Sequence, residues 1–325
     1  MRNTTKLLCA SLVAFGGGAL AAVAQPDIPA AALEHMNRAK ALAGDTFMQT
    51  TYKLQCGLSG PAMANFADTT VPEPARLFDN FYYVGVKSVG AYALKTSDGI
   101  ILIDSLNTEK DARDVIEPGL RKLGLDPAQI KYIVISHGHG DHYGGAAYLA
   151  QKYGARVVMS EADWNLVGNP PPAAAAMARR FAPPPAKDMV GTDGMELKLG
   201  DGSIRMVLTP GHTPGTLSFL IPVTDKGAPH LLAMWGGTGV PRDPAARTQY
   251  VASAAKFGVI SEEAGADAEL SNHPFVDDSL TRMEQQRAAP GGANPFVIGR
   301  GAYSRYAAVI EECAKAVATG GPTAS

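Results

Sequence analysis

The chain has 325 residues, enough for one large α/β domain with a buried core. Its 46% hydrophobic and 18% charged content is ordinary for a globular protein. A formal net charge of -2 gives no handle for a nucleic acid or an acidic membrane surface.

The N-terminus reads as a targeting segment. Arg2 and Lys6 form a short positive start, and Leu7 to Ala21 is apolar or small. Ala22-Val23-Ala24 then offers small residues where a signal peptidase inspects the chain. The competing reading, a membrane anchor, is disfavoured because the apolar stretch falls short of the ~20 residues a bilayer span needs. Cys9 comes too early in that stretch for a lipid attachment. Residues 1–24 are therefore expected to be removed, leaving 25–325 as one domain in a periplasmic or extracellular setting. Loss of Arg2 and Lys6 takes the net charge from -2 to -4. Cys56 and Cys313 then remain, either as one disulfide or as two isolated thiols.

Residues 26–70 read as a helical, then irregular, leader. Strand signals begin at 77–84. The runs 91–95 and 100–104 flank Ser97-Asp98-Gly99, a hairpin signature. Thr108 can cap a helix to about Leu123, with Asp111 as its acidic partner. Ile130 to Ile135 reads as a buried strand. A helix over 144–153 and a strand over 155–159 follow, and Ser160 with Asp163 opens another short helix. Residues 168–187 are too proline-rich for regular structure throughout, and form either a surface excursion or a functional loop. A second hairpin turns at Gly200-Asp201-Gly202, between runs 195–199 and 203–208. Strands at 217–222 and 231–235 and helices at 246–257, 276–287 and 301–318 complete the order. Strands then helices, twice over, suit two mixed sheets packed face to face with helices outside.

The chemistry concentrates in His137-Gly138-His139-Gly140-Asp141-His142, directly after a predicted strand. Gly138 and Gly140 let the backbone turn tightly. Imidazole and carboxylate donors together suit zinc or a similar first-row ion without a thiolate. His212 lies between two strands, inside Thr209-Pro210-Gly211-His212-Thr213-Pro214-Gly215, a rigid turn that can hold one ligand from a remote part of the chain. His273 follows another short strand-like run. Alone, each would more often be an ordinary loop histidine. His35 and His230 have no such context and read as structural or surface residues.

His-x-His-x-Asp-His followed by Gly-His-Thr-Pro-Gly resembles the metallo-β-lactamase superfamily, from about residue 72 onward. The resemblance implies an αββα sandwich, two mixed β-sheets flanked by helices, with metals in a groove at one sheet edge. No acid that would bridge two metals follows the Gly-His-Thr-Pro-Gly segment, because the matching strand ends Ala233-Met234-Trp235-Gly236-Gly237-Thr238. No cysteine follows it either. With His142 after Asp141 and a late His273, the pattern is most like the all-histidine B3 subclass.

That resemblance implies two zinc ions per chain. His137, His139 and His212 would hold the first; Asp141, His142 and His273 would hold the second. Asp141 would also orient the attacking zinc-bound hydroxide and handle its proton. Asp104 would accept an outer N–H from a ligand imidazole. The expected activity is opening of a β-lactam amide without a covalent intermediate. Members of the subclass place serines where this chain has Gly237, Thr238 and Gly239, so Thr238 is the candidate substrate contact. A lactone, ester or other amide hydrolase on the same centre is the alternative, and a non-catalytic zinc-binding protein the third reading. The expected partner is a small-molecule substrate, with no nucleic acid, no membrane after cleavage, and a monomeric state.

Overall fold

The computed structural model describes residues 28–57, 62–172, 175–176 and 179–322. The targeting segment expected over 1–24 lies outside them.

Two sheets face each other. The first has seven strands in sequence order: β1 (Ala75–Arg76), β2 (Phe81–Tyr83), β3 (Tyr92–Thr96), β4 (Gly99–Ile103), β5 (Ile130–Val134), β6 (Arg156–Ser160) and β7 (Met189–Gly191). Strands β1 to β4 run antiparallel, and β4 to β7 run parallel. The second has five strands: β8 (Glu196–Leu199), β9 (Gly202–Leu208), β10 (Leu217–Asp225), β11 (Ala228–Trp235) and β12 (Ala268–Ser271). Their order is β12-β11-β10-β9-β8, with only β11 and β12 parallel.

Side-chain alternation builds three apolar layers. Tyr92, Leu94, Ile101 and Ile103 point to the inner face, where they meet Met206, Phe219, Ile221 and Met234 of the second sheet. Their neighbours Ala93, Ile100 and Leu102 point outward against Ile116, Leu120 and Leu149 of the helices over the first sheet. On the other flank Val207, Leu220, Ala233 and Trp235 meet Tyr250, Phe257, Tyr306 and Val309. The molecule is therefore the helix–sheet–sheet–helix sandwich expected.

Both predicted hairpins form, with Thr96 opposite Gly99 and Leu199 opposite Gly202. Strands β10 and β11 run past their predicted ends to meet at Lys226-Gly227, whose φ values of 52° and 80° make a turn the polar flanks had obscured. The helix expected over 246–257 extends from Pro244 to Ala264, with Asp243 capping it and Gly265 closing it in the left-handed region.

The leader packs on the domain. Helix Ala30–Ala43 buries Met36, Ala39 and Ala43 against the last helix, Arg300–Ala318. Cys56, just after helix Met48–Gln55, is bonded to Cys313 with Cα atoms 4.5 Å apart. The sequence separation is 257 residues. Closing so long a loop in the unfolded chain contributes on the order of 2–5 kcal/mol.

One buried ionic network sits beneath the end of β12. Arg282 donates to Glu269 and to the Asp277 and Pro295 carbonyls, and lies 4.4 Å from the ring centres of both Phe47 and Phe296. Two buried carboxylates, Glu269 and Asp277, thus share one guanidinium. Glu269 Oε2 has no hydrogen-bond partner. Burial pushes the Glu269 carboxyl up to about 8, against the pull of Arg282. A raised folded-state pKa means that the protonated form favours the fold, and that this contribution is lost as pH rises through about 8. The Tm of the native chain is expected to drop further between pH 7 and 9 than that of Glu269→Gln. Parallel melting curves for the two proteins would show that Glu269 does not carry this proton.

Candidate metal centre

The expected donors gather at one edge of the sandwich, where strand ends and loops of both sheets meet. Strand β5 ends at Val134, and the chain passes through Ser136 to His137 and His139. A short helix, Gly140–Tyr143, then presents Asp141 and His142. The β9–β10 connection carries His212, and His273 follows β12. His137, His139 and His212 bring their ligand atoms within 4.8 Å of one another, and so do Asp141, His142 and His273. These are the two trios anticipated from the sequence.

Within the first trio the rings stand nearly perpendicular, with interplanar angles of 85°, 87° and 78° and centroids 4.6–4.8 Å apart. His212 Nε2 lies 3.1 Å from His139 Nδ1. In the second trio, Asp141 Oδ2 lies 3.4 Å from His142 Nε2 and 3.9 Å from His273 Nε2. The His137 and His142 rings are 3.9 Å apart, so the two trios adjoin.

The outer nitrogens are anchored. His137 Nδ1 meets the Gly236 carbonyl at 2.8 Å, His212 Nδ1 the Gly239 carbonyl at 2.8 Å, and His273 Nδ1 the Ser88 carbonyl at 2.6 Å. His142 Nδ1 meets Asp104 Oδ2 at 2.7 Å. An oxygen acceptor requires N–H at Nδ1, which leaves Nε2 of each neutral imidazole as a lone pair aimed into the site. His139 is the exception, since its Nδ1 faces the trio.

These residues fit a cation. His137 Nε2 and His142 Nε2 are buried and have no hydrogen-bond partner. Such orphaned polar atoms are costly unless something else engages them. Burial depresses the His137 and His212 basicity well below the usual range, so both present neutral imidazoles. Burial also disfavours charge on His142, but the Asp141 and Asp104 carboxylates outweigh it and push that imidazole up to about 10. The second trio thus demands positive charge from a proton or a metal ion. Nitrogen and carboxylate donors without sulfur match zinc.

Asp104 contacts more than one residue of this edge. It is fully buried in the left-handed region, at φ 58°. Besides His142, it accepts the Ser136 N–H at 2.7 Å and the Ser136 hydroxyl at 2.8 Å. One carboxylate therefore aligns the second trio and fixes the strand exit that leads to the first.

Thr238 is placed differently from its expected role. It is 5% exposed, and its hydroxyl lies 3.0 Å from Asn272 Oδ1 and 3.2 Å from Ser271 Oγ. The hydroxyl is committed to the loop that carries His273. Asn272 in turn donates to the Gly236 carbonyl and to Ser136 Oγ. His35 pairs with Glu312, and His230 with Asp267, both away from the centre.

Sequence reasoning missed three kinds of contributor. The first is main-chain carbonyl groups, those of Ser88, Gly236 and Gly239. The second is Asp163, which accepts from Gly138 between two of the histidines and from Thr213 beside a third. The third is a pair of aromatic neighbours. Phe66 sets its ring edge-on to His273 with centroids 5.1 Å apart. Phe181, from the proline-rich segment, covers Gly140 so closely that a Cβ there would lie 2.3 Å from its ring.

Comparison with known proteins points the same way. The sequence model of the metallo-beta-lactamase superfamily matches residues 84–225. The chain is 28% identical over 171 residues to the N-acyl homoserine lactonase AttM of Azorhizobium caulinodans, spanning 48% of this chain and 62% of that one. It is 32% identical over 92 residues to a hydroxyacylglutathione hydrolase of Acidiphilium cryptum, spanning 28% and 31%. The chain thus matches less than two thirds of the length of either relative. Solved structures align further. BJP-1, a subclass B3 metallo-beta-lactamase of Bradyrhizobium japonicum, shares 30% identity with a TM-score of 0.61, over 76% of this chain and 92% of that one. The FEZ-1 metallo-beta-lactamase from Legionella gormanii shares 26% identity with a TM-score of 0.65, over 73% and 92%.

Replacing Asp104 with Asn removes the acceptor charge that His142 and Ser136 share. Zinc affinity of the purified chain, read by competition with a coloured chelator, is expected to fall about 10–100-fold. An unchanged affinity would mean that Asp104 is a turn residue only.

Proposed function

Because the chain belongs to the metallo-β-lactamase superfamily, we propose that it is a zinc-dependent β-lactamase with two metal sites. The observation that carries this reading is the donor set: five imidazoles and one carboxylate in two adjoining trios. The Gly236 carbonyl anchors His137 from its outer side. The likeness to subclass B3 structures supports it further.

His137, His139 and His212 would hold one zinc ion, and Asp141, His142 and His273 the other. Zinc, when bound, supplies Lewis acidity and a water whose pKa falls from 15.7 to about 7. The chain's own residues do the rest. Asp141 sits where its carboxylate can orient the attacking water and accept its proton. Its neighbours His142, His273 and His139 hold that carboxylate well below the usual range against the effect of burial, so it is ionised at neutral pH. Phe66 lies against His273, and Phe181 against Gly140 beside Asp141. Because the nucleophile is water, no acyl-enzyme is required.

A second reading has its own support. The lactonase and hydroxyacylglutathione hydrolase relatives fit a lactone or ester substrate. The inward hydroxyl of Thr238 leaves the expected grip on a substrate carboxylate unfilled.

The proposal includes an oxidising compartment outside the cytoplasm. The Cys56–Cys313 bond supports it, since such bonds persist in oxidising surroundings. Among the described residues no helix is long and apolar enough to cross a membrane. The proposed partner is a small molecule, taken by a single chain.

The test is hydrolysis of penicillin, cephalosporin and carbapenem substrates by the purified chain, beside an N-acyl homoserine lactone. β-Lactam turnover that a chelator abolishes and zinc restores is the expected result. Lactone turnover alone, equally chelator-sensitive, would select the second reading.

A further inference from the structure

Asp163 stands at the third position of helix Glu161–Gly168, behind an N-cap serine. An acid there ordinarily reaches back to the cap residue's own N–H. Ser160 does cap the helix, accepting the Asp163 N–H at 3.2 Å. The Asp163 carboxylate, however, points across to the donor loops. Its Oδ2 accepts the Gly138 N–H at 2.8 Å and the Thr213 hydroxyl at 2.7 Å. Its Oδ1 accepts the Gly215 N–H at 2.8 Å.

Those three donors belong to two loops. Gly138 lies between His137 and His139, and Thr213 follows His212 directly. One fully buried carboxylate therefore spans both loops that supply the first trio. The glycines make room for it. A Cβ on Gly138 would lie 3.3 Å from the Asp163 side chain, and one on Gly215 only 1.9 Å from Ser160 Oγ. No cation is among its three partners. Burial accordingly pushes the Asp163 carboxyl up to about 6, even though the three hydrogen bonds pull the other way.

We infer that Asp163 is the positioning residue of the first metal site: it fixes the spacing between the His137–His139 loop and the His212 loop, and so sets the zinc affinity of that site alone. The second trio takes its alignment from Asp104 and Ser88, and none of the three groups that Asp163 holds belongs to it. Asp163 touches only the loops of the first trio, whereas Asp104 reaches His142 directly and the first trio's loop through Ser136. This rests on the zinc reading above.

The experiment measures zinc binding, without substrate, in full-length purified chains. On a His273→Ala background only the first trio is complete; on a His139→Ala background only the second is. Asp163→Asn is expected to weaken zinc binding about 10–100-fold in the first background and less than about twofold in the second. Thr213→Val removes one donor while keeping the carboxylate, and is expected to cause a smaller loss in the first background only. It serves as the test if Asp163→Asn does not fold. Equal losses at both sites, or no loss at the first, would overturn the inference. A native chain that takes up no zinc would instead overturn the metal reading beneath it.

Discussion

Buried imidazole lone pairs are costly unless something positive engages them. Here five histidine rings are drawn to one sheet edge, and two Nε2 atoms are left buried with no partner. Much of the structure around them can be understood as the means of holding that arrangement before any ion binds. Four of the five rings are oriented by an oxygen on the far side, three of them carbonyls. A carbonyl cannot take a proton near neutrality, so it imposes one tautomer across the working range of pH. Asp104 is the one charged anchor, and it acts on the trio that also contains the carboxylate Asp141. The result is an asymmetric centre, with a neutral all-imidazole trio beside one that carries and attracts charge.

The loop after β11 shows why no acid stands at the end of that strand. A Cβ on Gly236 would lie 1.8 Å from the Leu217 carbonyl, and one on Gly237 2.9 Å from His212 Cβ. The backbone passes too close to its neighbours to carry an acid. In exchange it brings the Gly236 and Gly239 carbonyls to His137 and His212, and the Gly236 carbonyl also takes the Asn272 amide. The missing bridging acid and the anchored histidines are thus two consequences of one close approach. A chain with an acid at 236 would need a different path for this loop.

The parts of the site that could be read in the sequence are those where chemistry is local. His137 to His142 announce themselves by density, and the turn around His212 by its prolines and glycines. Alternation along β3 and β4 likewise sorts inner from outer residues without any structure. What stayed hidden depends on non-local geometry. Asp163 reads as a helix-start residue because its spacing from Ser160 suits one, and its actual partners lie 25 and 50 residues away or more. Carbonyl anchors have no side-chain signature at all. Thr238 looked available because it is the one hydroxyl where the resemblance places serines. Yet the glycines beside it let the backbone turn its hydroxyl toward Asn272. Whether Cys56 and Cys313 meet could not be decided from the sequence, because a helix from each end of the chain must first pack together.

The fold supplies a donor cluster, whereas the loops around it shape what can approach. Phe66 comes from the segment before the first strand, and Phe181 from the segment between β6 and β7. Each sits against a donor or its neighbouring glycine from a different direction. Neither belongs to the sandwich core. Phe66 also packs on Phe275, whose neighbour Val276 is held through its carbonyl by Thr51 of the leader. The leader is in turn tied to the last helix by the Cys56–Cys313 bond. A covalent link far from the metals therefore restrains the ring that borders the second trio. The rim beside the second trio is thus tied to the leader, while the donors are held by the sandwich itself.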